Sequence, residues 1–85
     1  MSEQPSTPAE LLEYLARGLV EEPDAVSVEE VPEDDGATVL ELVVAEGDYG
    51  SVIGRGGRTA GALRTVVKAA ASRHNRRVFV DIVDD

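Results

Sequence analysis

The chain is short and acidic, with 85 residues, 17 Asp and Glu, 8 Lys and Arg and a formal net charge of −9. This length fits one small domain, and an apolar fraction of 42% is enough for a single thin core. The absence of cysteine excludes disulfides, thiolate zinc sites and a thiol nucleophile. No apolar run approaches the roughly 20 residues of a membrane span, and the polar start MSEQPSTP lacks a signal-peptide core. We therefore expect a cytoplasmic protein that does not contact a membrane.

The first quarter of the chain predicts a disordered tail over 1–6 and then an amphipathic helix. Thr7 is a suitable N-cap, Pro8 fits the first helical position, and Glu10 completes a capping box. The segment Glu22-Pro23-Asp24 is expected to end this helix. The predicted buried stripe is formed by residues at four-residue spacing and their neighbours: Leu11, Leu15 and Leu19, flanked by Leu12 and Ala16.

Alternating apolar residues next predict two strands. The first strand is expected around 26–31, and a polar turn over 32–36 separates it from a second strand over 38–45. Gly47 breaks the second strand, and Asp48 is expected to cap a short helix over 49–53. The residues of the second strand that share its main buried face are Leu40, Leu42 and Val44.

The last third of the chain predicts a long helix over 58–74, a left-handed Asn75 after it, and a third strand over 77–83. The element order is thus α-β-β-α-α-β. It predicts one α+β domain over 7–83, with three strands and the helices on one face of the sheet, and a short tail at 84–85. The core face of the long helix is assigned to Ala60, Leu63, Val67 and Ala70, flanked by Val66 and Ala71.

The most informative segment is the Gly-x-x-Gly turn Gly54-Arg55-Gly56-Gly57. Glycine permits positive φ angles and the close approach of another backbone. The N–H groups at the start of the following helix favour an anion, because a helix N-terminus carries roughly +0.5 of a charge. Arg55 and Arg58 add full positive charges. The segment therefore predicts a cradle for a phosphate backbone.

Charge is segregated along the chain. Residues 1–48 contain 14 acidic residues and a single basic one, Arg17, whereas residues 49–77 contain seven basic residues and no acidic one. An acidic chain normally argues against nucleic acid as a partner. The Debye length is about 8 Å at physiological salt, however, so a ligand on a basic face is largely screened from acids on the far side. The net charge therefore weakens nucleic-acid binding without excluding it.

This element order, with Gly-x-x-Gly joining two helices, resembles a prokaryotic-type (type II) KH domain. The runs DYGSVIGRGGR over 48–58 and ALRTVV over 62–67 resemble more narrowly the KhpA (YlqC) family of small bacterial single-KH RNA-binding proteins, and LVEEPD over 19–24 also fits. The resemblance covers residues 7–83. It implies binding of single-stranded RNA, with about four nucleotides clamped by the loop. It also implies post-transcriptional regulation, with RNA-chaperone activity as one form, and a homodimer or a heterodimer with a KhpB (Jag-like) KH protein.

On this chain the resemblance implies an RNA-binding site centred on the loop. Family members often carry Lys where this chain has Ser51 and a larger aliphatic residue where it has Ala60, so we expect weaker phosphate attraction and looser packing here. The resemblance implies no metal ligand, cofactor or catalytic residue. The implied RNA-binding residues are Ser51, Ile53, Gly54, Arg55, Gly56, Gly57 and Arg58, with Val52 and Arg64 as additional candidates.

Other interpretations remain open at this stage. The glycine loop could be only a tight turn between helices, and the KH fold could serve as a protein-interaction adaptor that docks a partner; this is the alternative function. A Walker P-loop and a dinucleotide fingerprint are excluded by their missing residues. An enzyme ranks third, because the sequence offers no nucleophile–base–orienter set. The acids over 29–35 lack EF-hand spacing and are expected to be a solvated turn, and Arg73, Arg76 and Arg77 are expected to mark a helix end and strand start.

Overall fold

The computed structural model describes residues 5–84, so that most of the predicted N-terminal tail and Asp85 lie outside the described part of the chain. The helices and strands follow in the predicted order. They are α1 (Pro8–Arg17), β1 (Ser27–Pro32), β2 (Thr38–Val43), α2 (Tyr49–Ile53), α3 (Arg58–Ser72) and β3 (Val78–Ile82), with short 3₁₀ turns at Pro23–Ala25, Glu46–Asp48 and Arg55–Gly57.

The three strands form one mixed sheet in the order β1-β2-β3. Strands β1 and β2 are antiparallel, and the polar turn between them contains Gly36 at a φ of +91°. Strands β2 and β3 are parallel, so the chain must cross over between them, and α2 and α3 make this crossover. The helices all lie on one face of the sheet, which confirms the predicted α+β, KH-like architecture. The residues that line this covered face are Leu40, Leu42, Val78, Val80 and Ile82.

The core lies between that face of the sheet and the helices. Leu12 and Ala16 are fully buried in α1, whereas Leu11 and Leu15 of the predicted stripe are half-buried. Leu19, the third member of that stripe, lies beyond the end of α1 at Arg17, with 41% of its surface exposed. The other helical residues of the core are Val52, Ala60, Leu63, Val67 and Ala71. The buried face of α3 therefore continues from Val67 to Ala71 and not, as predicted from the sequence, to Ala70. Val66, predicted to flank this face, is 47% exposed.

Helix α1 ends at Arg17, so the prediction that Glu22-Pro23-Asp24 ends it is wrong. The ends of the other elements differ from the prediction by one or two residues. Strand β2 ends at Val43 and β3 spans Val78–Ile82, each slightly shorter than expected. Helix α3 ends at Ser72, two residues earlier than predicted, and a Schellman-type turn follows it. Asn75 has a φ of +57°, as predicted, and the N–H of Arg76 donates to the carbonyl of Ala71 at 2.9 Å.

The start of α1 is capped nearly as predicted. Thr7 Oγ1 accepts the N–H of Glu10 at 3.1 Å. The Glu10 carboxylate, however, accepts from the N–H and the hydroxyl of Ser6, one residue before the capping-box position. The N–H of Ser6 is the main reason that the pKa of Glu10 lies below its ordinary value.

The prediction that Asp48 caps α2 is wrong. Its side chain makes no bond to the start of that helix. It is instead 4% exposed, and its two oxygens accept the N–H groups of Glu21 and Glu22 at 3.1 Å each. The carboxylate thereby fixes the segment that follows α1 against the entry to α2.

Across residues 5–84, no helix combines the length and the apolar character that crossing a membrane requires.

Candidate nucleic-acid interface

The glycine loop joins α2 to α3 through an unusual backbone path. Helix α2 ends at Gly54, with φ +76° and ψ 171°, and the 3₁₀ turn Arg55–Gly57 leads directly into α3. Gly56 has a φ of +65° and Gly57 a φ of +78°. Since positive φ is unfavourable for residues with a Cβ, the path explains all three glycines.

The three glycines differ in their surroundings. A Cβ added at Gly54 would lie 2.7 Å from Thr59 Cβ and 2.9 Å from Thr59 N, and would also meet the Thr59 hydroxyl. At Gly56 and Gly57 an added Cβ would meet nothing within 4 Å. Gly54 therefore allows α2 and α3 to approach each other, whereas Gly56 and Gly57 form the accessible tip of the loop. This difference between the three glycines was not predicted from the sequence.

The start of α3 is open, but part of its hydrogen-bonding capacity is used within the turn. No side chain caps the helix at Gly57. The N–H of Gly57 donates to Gly54 O at 3.1 Å, and the N–H of Arg58 donates to Arg55 O. The attraction for an anion therefore rests on the helix dipole and the flanking charges, with fewer free N–H groups at the start of α3 than the sequence suggested.

The predicted flanking residues separate into exposed and buried ones. Ser51, Arg55 and Arg58 are exposed, and Ile53 is half-buried against the core. Within residues 5–84 neither arginine is in an ion pair, so both charges face solvent. The side chain of Val52 is 0% exposed, and the prediction that it is an additional contact is therefore wrong: it packs the core behind the loop.

Arg64 lies on the side of α3 that faces β3, which is one of the two edge strands of the sheet. Its Nε donates to the carbonyl of Val80 at 3.2 Å. One turn further along α3, Lys68 Nζ lies 4.8 Å from the centre of the Phe79 ring. These two contacts of α3 with β3 were not predicted from the sequence. The available signal was the spacing of Gly57, Gly61, Arg64 and Lys68, which places them along one side of the helix.

Two of the basic residues in the C-terminal half pair with acids of the N-terminal half. Arg76 contacts Glu30 at 3.3 Å, and Arg77 contacts Asp35 at 3.0 Å. Asp35 also accepts the N–H of Ala37, and this bond, followed by Arg77, holds the pKa of Asp35 below its ordinary value. Glu30 in β1 and Asp35 in the following turn thus offset the two positive charges just before β3. The part of the chain that the structure describes has no cluster of three or more residues able to hold a metal ion.

A second surface lies on the other side of α3, between it and α1. It is an apolar groove of about 230 Å³ that opens beside the loop. Its lining consists of Leu15, Leu19, Thr59, Ala62, Leu63 and Val66.

Comparison with known proteins agrees with this geometry. A family model described as the KhpA/KhpB KH domain matches residues 9–82. The RNA-binding protein KhpA of Clostridium acetobutylicum is 51% identical over 74 residues, which cover 87% of this chain and 97% of that protein. The RNA-binding protein KhpA of Halalkalibacterium halodurans is 52% identical over 75 residues, with coverage of 87% and 96%.

Solved structures share the fold. Era in complex with MgGDPNP and nucleotides 1506–1542 of 16S ribosomal RNA superposes with a TM-score of 0.59 at 22% identity, covering 98% of this chain and 33% of that chain. A variant of Aquifex aeolicus Era bound to GDP and aluminium fluoride gives a TM-score of 0.56, also at 22% identity, over 92% of this chain and 31% of that chain. The family model and the two KhpA relatives, over nearly the whole length, show that this chain belongs to the KhpA/KhpB family of KH-domain proteins.

Proposed function

We propose that the chain binds single-stranded RNA, about four nucleotides at a time, at the loop between α2 and α3. The observation that carries this proposal is the open space over Gly56 and Gly57 at the tip of the loop, between the unpaired charges of Arg55 and Arg58. A phosphate backbone can approach such a tip closely, and both charges attract it. The relatives named as RNA-binding proteins support the same function.

Single-stranded RNA suits this surface better than duplex DNA. The helices pack on the sheet and on one another, so none projects into a major groove. The half-buried side chain of Ile53 offers apolar surface beside the loop, on which an unpaired base can lie. The protein would then act in post-transcriptional regulation in the cytoplasm, with RNA-chaperone activity as one form, and it would not catalyse a reaction.

The decisive experiment replaces Arg55 and Gly56 together by Asp. The change removes one positive charge, adds two negative ones and places two carboxylates on the path of the phosphates. Since both residues are exposed and Asp tolerates left-handed φ better than most residues, we expect the domain to stay folded. Binding to a short single-stranded RNA, followed by fluorescence anisotropy, should be lost.

A matched control carries the same change in charge at the opposite end of α3. Ser72→Asp with Arg73→Asp also removes one positive charge and adds two negative ones, on exposed positions distant from the loop. It should weaken RNA binding only slightly. Leu63→Asp provides the unfolded reference, because it places an unpaired charge in the core. If the loop variant stays folded by circular dichroism and binds RNA like the unmodified protein, the loop is only a turn and the adaptor function becomes the better proposal.

We also propose that the chain pairs with a second copy of itself or with a KhpB (Jag-like) KH protein. The groove between α1 and α3 supports this pairing, because it is apolar and leaves Leu19 41% and Val66 47% exposed. Pairing at this groove would leave the loop tip accessible and present two RNA sites on one particle.

A further inference from the structure

We propose that Arg64 selects the nucleobase beside the loop and favours a base with two adjacent hydrogen-bond acceptors. The inference rests on the proposed function, since it requires an RNA strand that crosses the glycine loop. It gives Arg64 a role different from that of Arg55 and Arg58, whose charges attract phosphates wherever the bases lie.

The guanidinium of Arg64 is fixed at the free edge of the sheet. The N–H of Thr38 bonds to Arg77 O and the N–H of Val83 bonds to Leu42 O, so residues 77 and 83 direct their backbone groups toward β2. With the two-residue period of a strand, the backbone groups of Val80 point the opposite way, to the open edge. Arg64 Nε donates to that outward carbonyl at 3.2 Å, which orients the planar group across the gap between α3 and β3.

The rest of the guanidinium is available to a ligand. Arginine has five N–H donors, and the bond to Val80 uses the one on Nε, which leaves those on the two terminal nitrogens. Within residues 5–84 Arg64 forms no ion pair, and the residue is exposed to solvent. A planar, oriented group with free donors is suited to hydrogen-bond the edge of a base.

An open strip connects the loop to this group. Gly57, Gly61, Arg64 and Lys68 lie on one side of α3, and an added Cβ at Gly57 or Gly61 would meet nothing within 4 Å. Arg64 contacts Val80 and Lys68 lies over Phe79, so α3 runs antiparallel to β3 and Gly61 lies on the loop side of Arg64. Gly61 is not among the glycines with positive φ, so its backbone does not require glycine, which is unfavourable within a helix. The missing side chain leaves room for a base.

The chemistry of the guanidinium determines which base fits. It donates and cannot accept, so it matches two neighbouring acceptors, as in guanine O6 and N7 or cytosine O2 and N3. Adenine places an amino donor beside its acceptors, and uracil places an N–H between them. A bidentate contact of this kind discriminates by about 5-fold to 150-fold in affinity.

The test uses four adenosine-rich RNA octamers that differ only in one central nucleotide, A, C, G or U, with dissociation constants measured by anisotropy. The unmodified chain should bind the C or the G octamer at least about 5-fold more tightly than the A octamer. Arg64→Lys keeps the charge but loses the fork of donors, and should bring this ratio close to one. Lys68→Gln is the matched control: it should lower affinity for all four RNAs by a similar factor and keep the ratio.

The outcomes separate this inference from the proposed function. Equal affinity of the unmodified chain for all four octamers, or a ratio that survives in Arg64→Lys, overturns the role of Arg64 and leaves RNA binding at the loop intact. A failure to bind any of them overturns the proposed function itself. If Arg64→Lys melts below the assay temperature, Gly61→Leu replaces it, because the leucine fills the strip and keeps the bond of Arg64 to Val80. Loss of the affinity ratio between the C or G octamer and the A octamer in this variant supports the inference. An unchanged ratio contradicts it.

Discussion

Gly54 and Gly56 are both glycines with positive φ, but they are required to different degrees. Gly54 combines φ +76° with ψ 171°, a region that is essentially restricted to glycine, and it lies against Thr59. Gly56 has φ +65° and ψ 18°, close to the left-handed helical region that Asn and Asp also visit, and it faces open space. The first glycine thus holds two helices together, and the second leaves the tip free for a ligand.

Substitution should reveal this difference in stability. Gly54→Ala places a Cβ 2.9 Å from Thr59 N and forces an unfavourable backbone, so we expect the free energy of unfolding to fall by about 1–3 kcal/mol or more. Gly56→Asn, the matched control, should cost about 1 kcal/mol or less. Urea denaturation followed by circular dichroism measures both. Equal losses for the two variants would contradict the close packing assigned to Gly54.

Asp48 shows what a local pattern cannot predict at this scale. An Asp just before a helix has the pattern of an N-cap, and nothing nearby in sequence indicates otherwise. The residues whose N–H groups it accepts, Glu21 and Glu22, lie 27 and 26 positions earlier in the chain. Only the docking of α1 on the sheet brings them together. The glycine loop, by contrast, is entirely local, and its position was predicted correctly from sequence.

At the scale of elements, apolar periodicity was enough to predict α1, α3 and the three strands, and the glycines around residues 47–57 marked the place of α2. The periodicity was less successful at showing which residue of a stripe is most buried, because that depends on where the neighbouring element lies. Leu19 continued the pattern of α1 but follows its last residue, and Val66 belongs to the groove side of α3. The spacing of Arg64 and Lys68 indicates that they share a side of α3, but it does not indicate their partners. Val80 as the partner of Arg64 depends on the parallel pairing of β2 and β3, which is not local in sequence.

The groove between α1 and α3 gives a prediction for pairing. Val66→Asp places a charge on a half-exposed groove position, so the isolated domain should remain folded while association weakens. Thr65→Asp, on an exposed position of α3 that does not line the groove, is the control with the same added charge. Sedimentation velocity over a range of concentrations should show weaker association for Val66→Asp alone. Identical behaviour of the two variants would place the pairing surface elsewhere.

In the folded molecule, positive and negative charges are less separated than they are along the sequence. Acidic and basic residues are separated along the chain, but folding brings Glu30 and Asp35 to Arg76 and Arg77. These pairs lie at the far end of α3 and at the start of β3, away from the loop. The net positive surface is therefore concentrated on fewer residues than the composition of 49–77 suggests, chiefly Arg55 and Arg58 at the loop and Arg64 and Lys68 along α3.

Asp35 also gives a pH dependence whose sign can be worked out. Its pKa in the folded protein lies below the ordinary 3.8, because it accepts the N–H of Ala37 and contacts Arg77. A lowered folded pKa stabilises the fold at pH values above the ordinary pKa, and the stabilisation is lost as the pH falls through the folded value. Asp35→Asn keeps an oxygen for Ala37 but removes the charge. The variant should be slightly less stable than the unmodified protein at neutral pH. The difference should shrink as the pH falls below the ordinary pKa of 3.8, as urea midpoints would show. A difference that grows on acidification would contradict this assignment.

The salt dependence of RNA binding tests how much of this charge a ligand meets. Each phosphate neutralised on a single strand contributes about −0.7 to the slope of log affinity against log salt, so two or three contacts around the loop predict a slope of about −1.4 to −2.1. Affinity for one domain should then be modest, and pairing would raise it through effective concentration. Arg58→Gln should reduce the slope by about 0.7, whereas Arg76→Gln, whose charge is paired with Glu30, should leave it unchanged. A slope of about −5, which seven engaged cations would give, would show instead that the whole basic segment binds RNA and that the short site at the loop is too small.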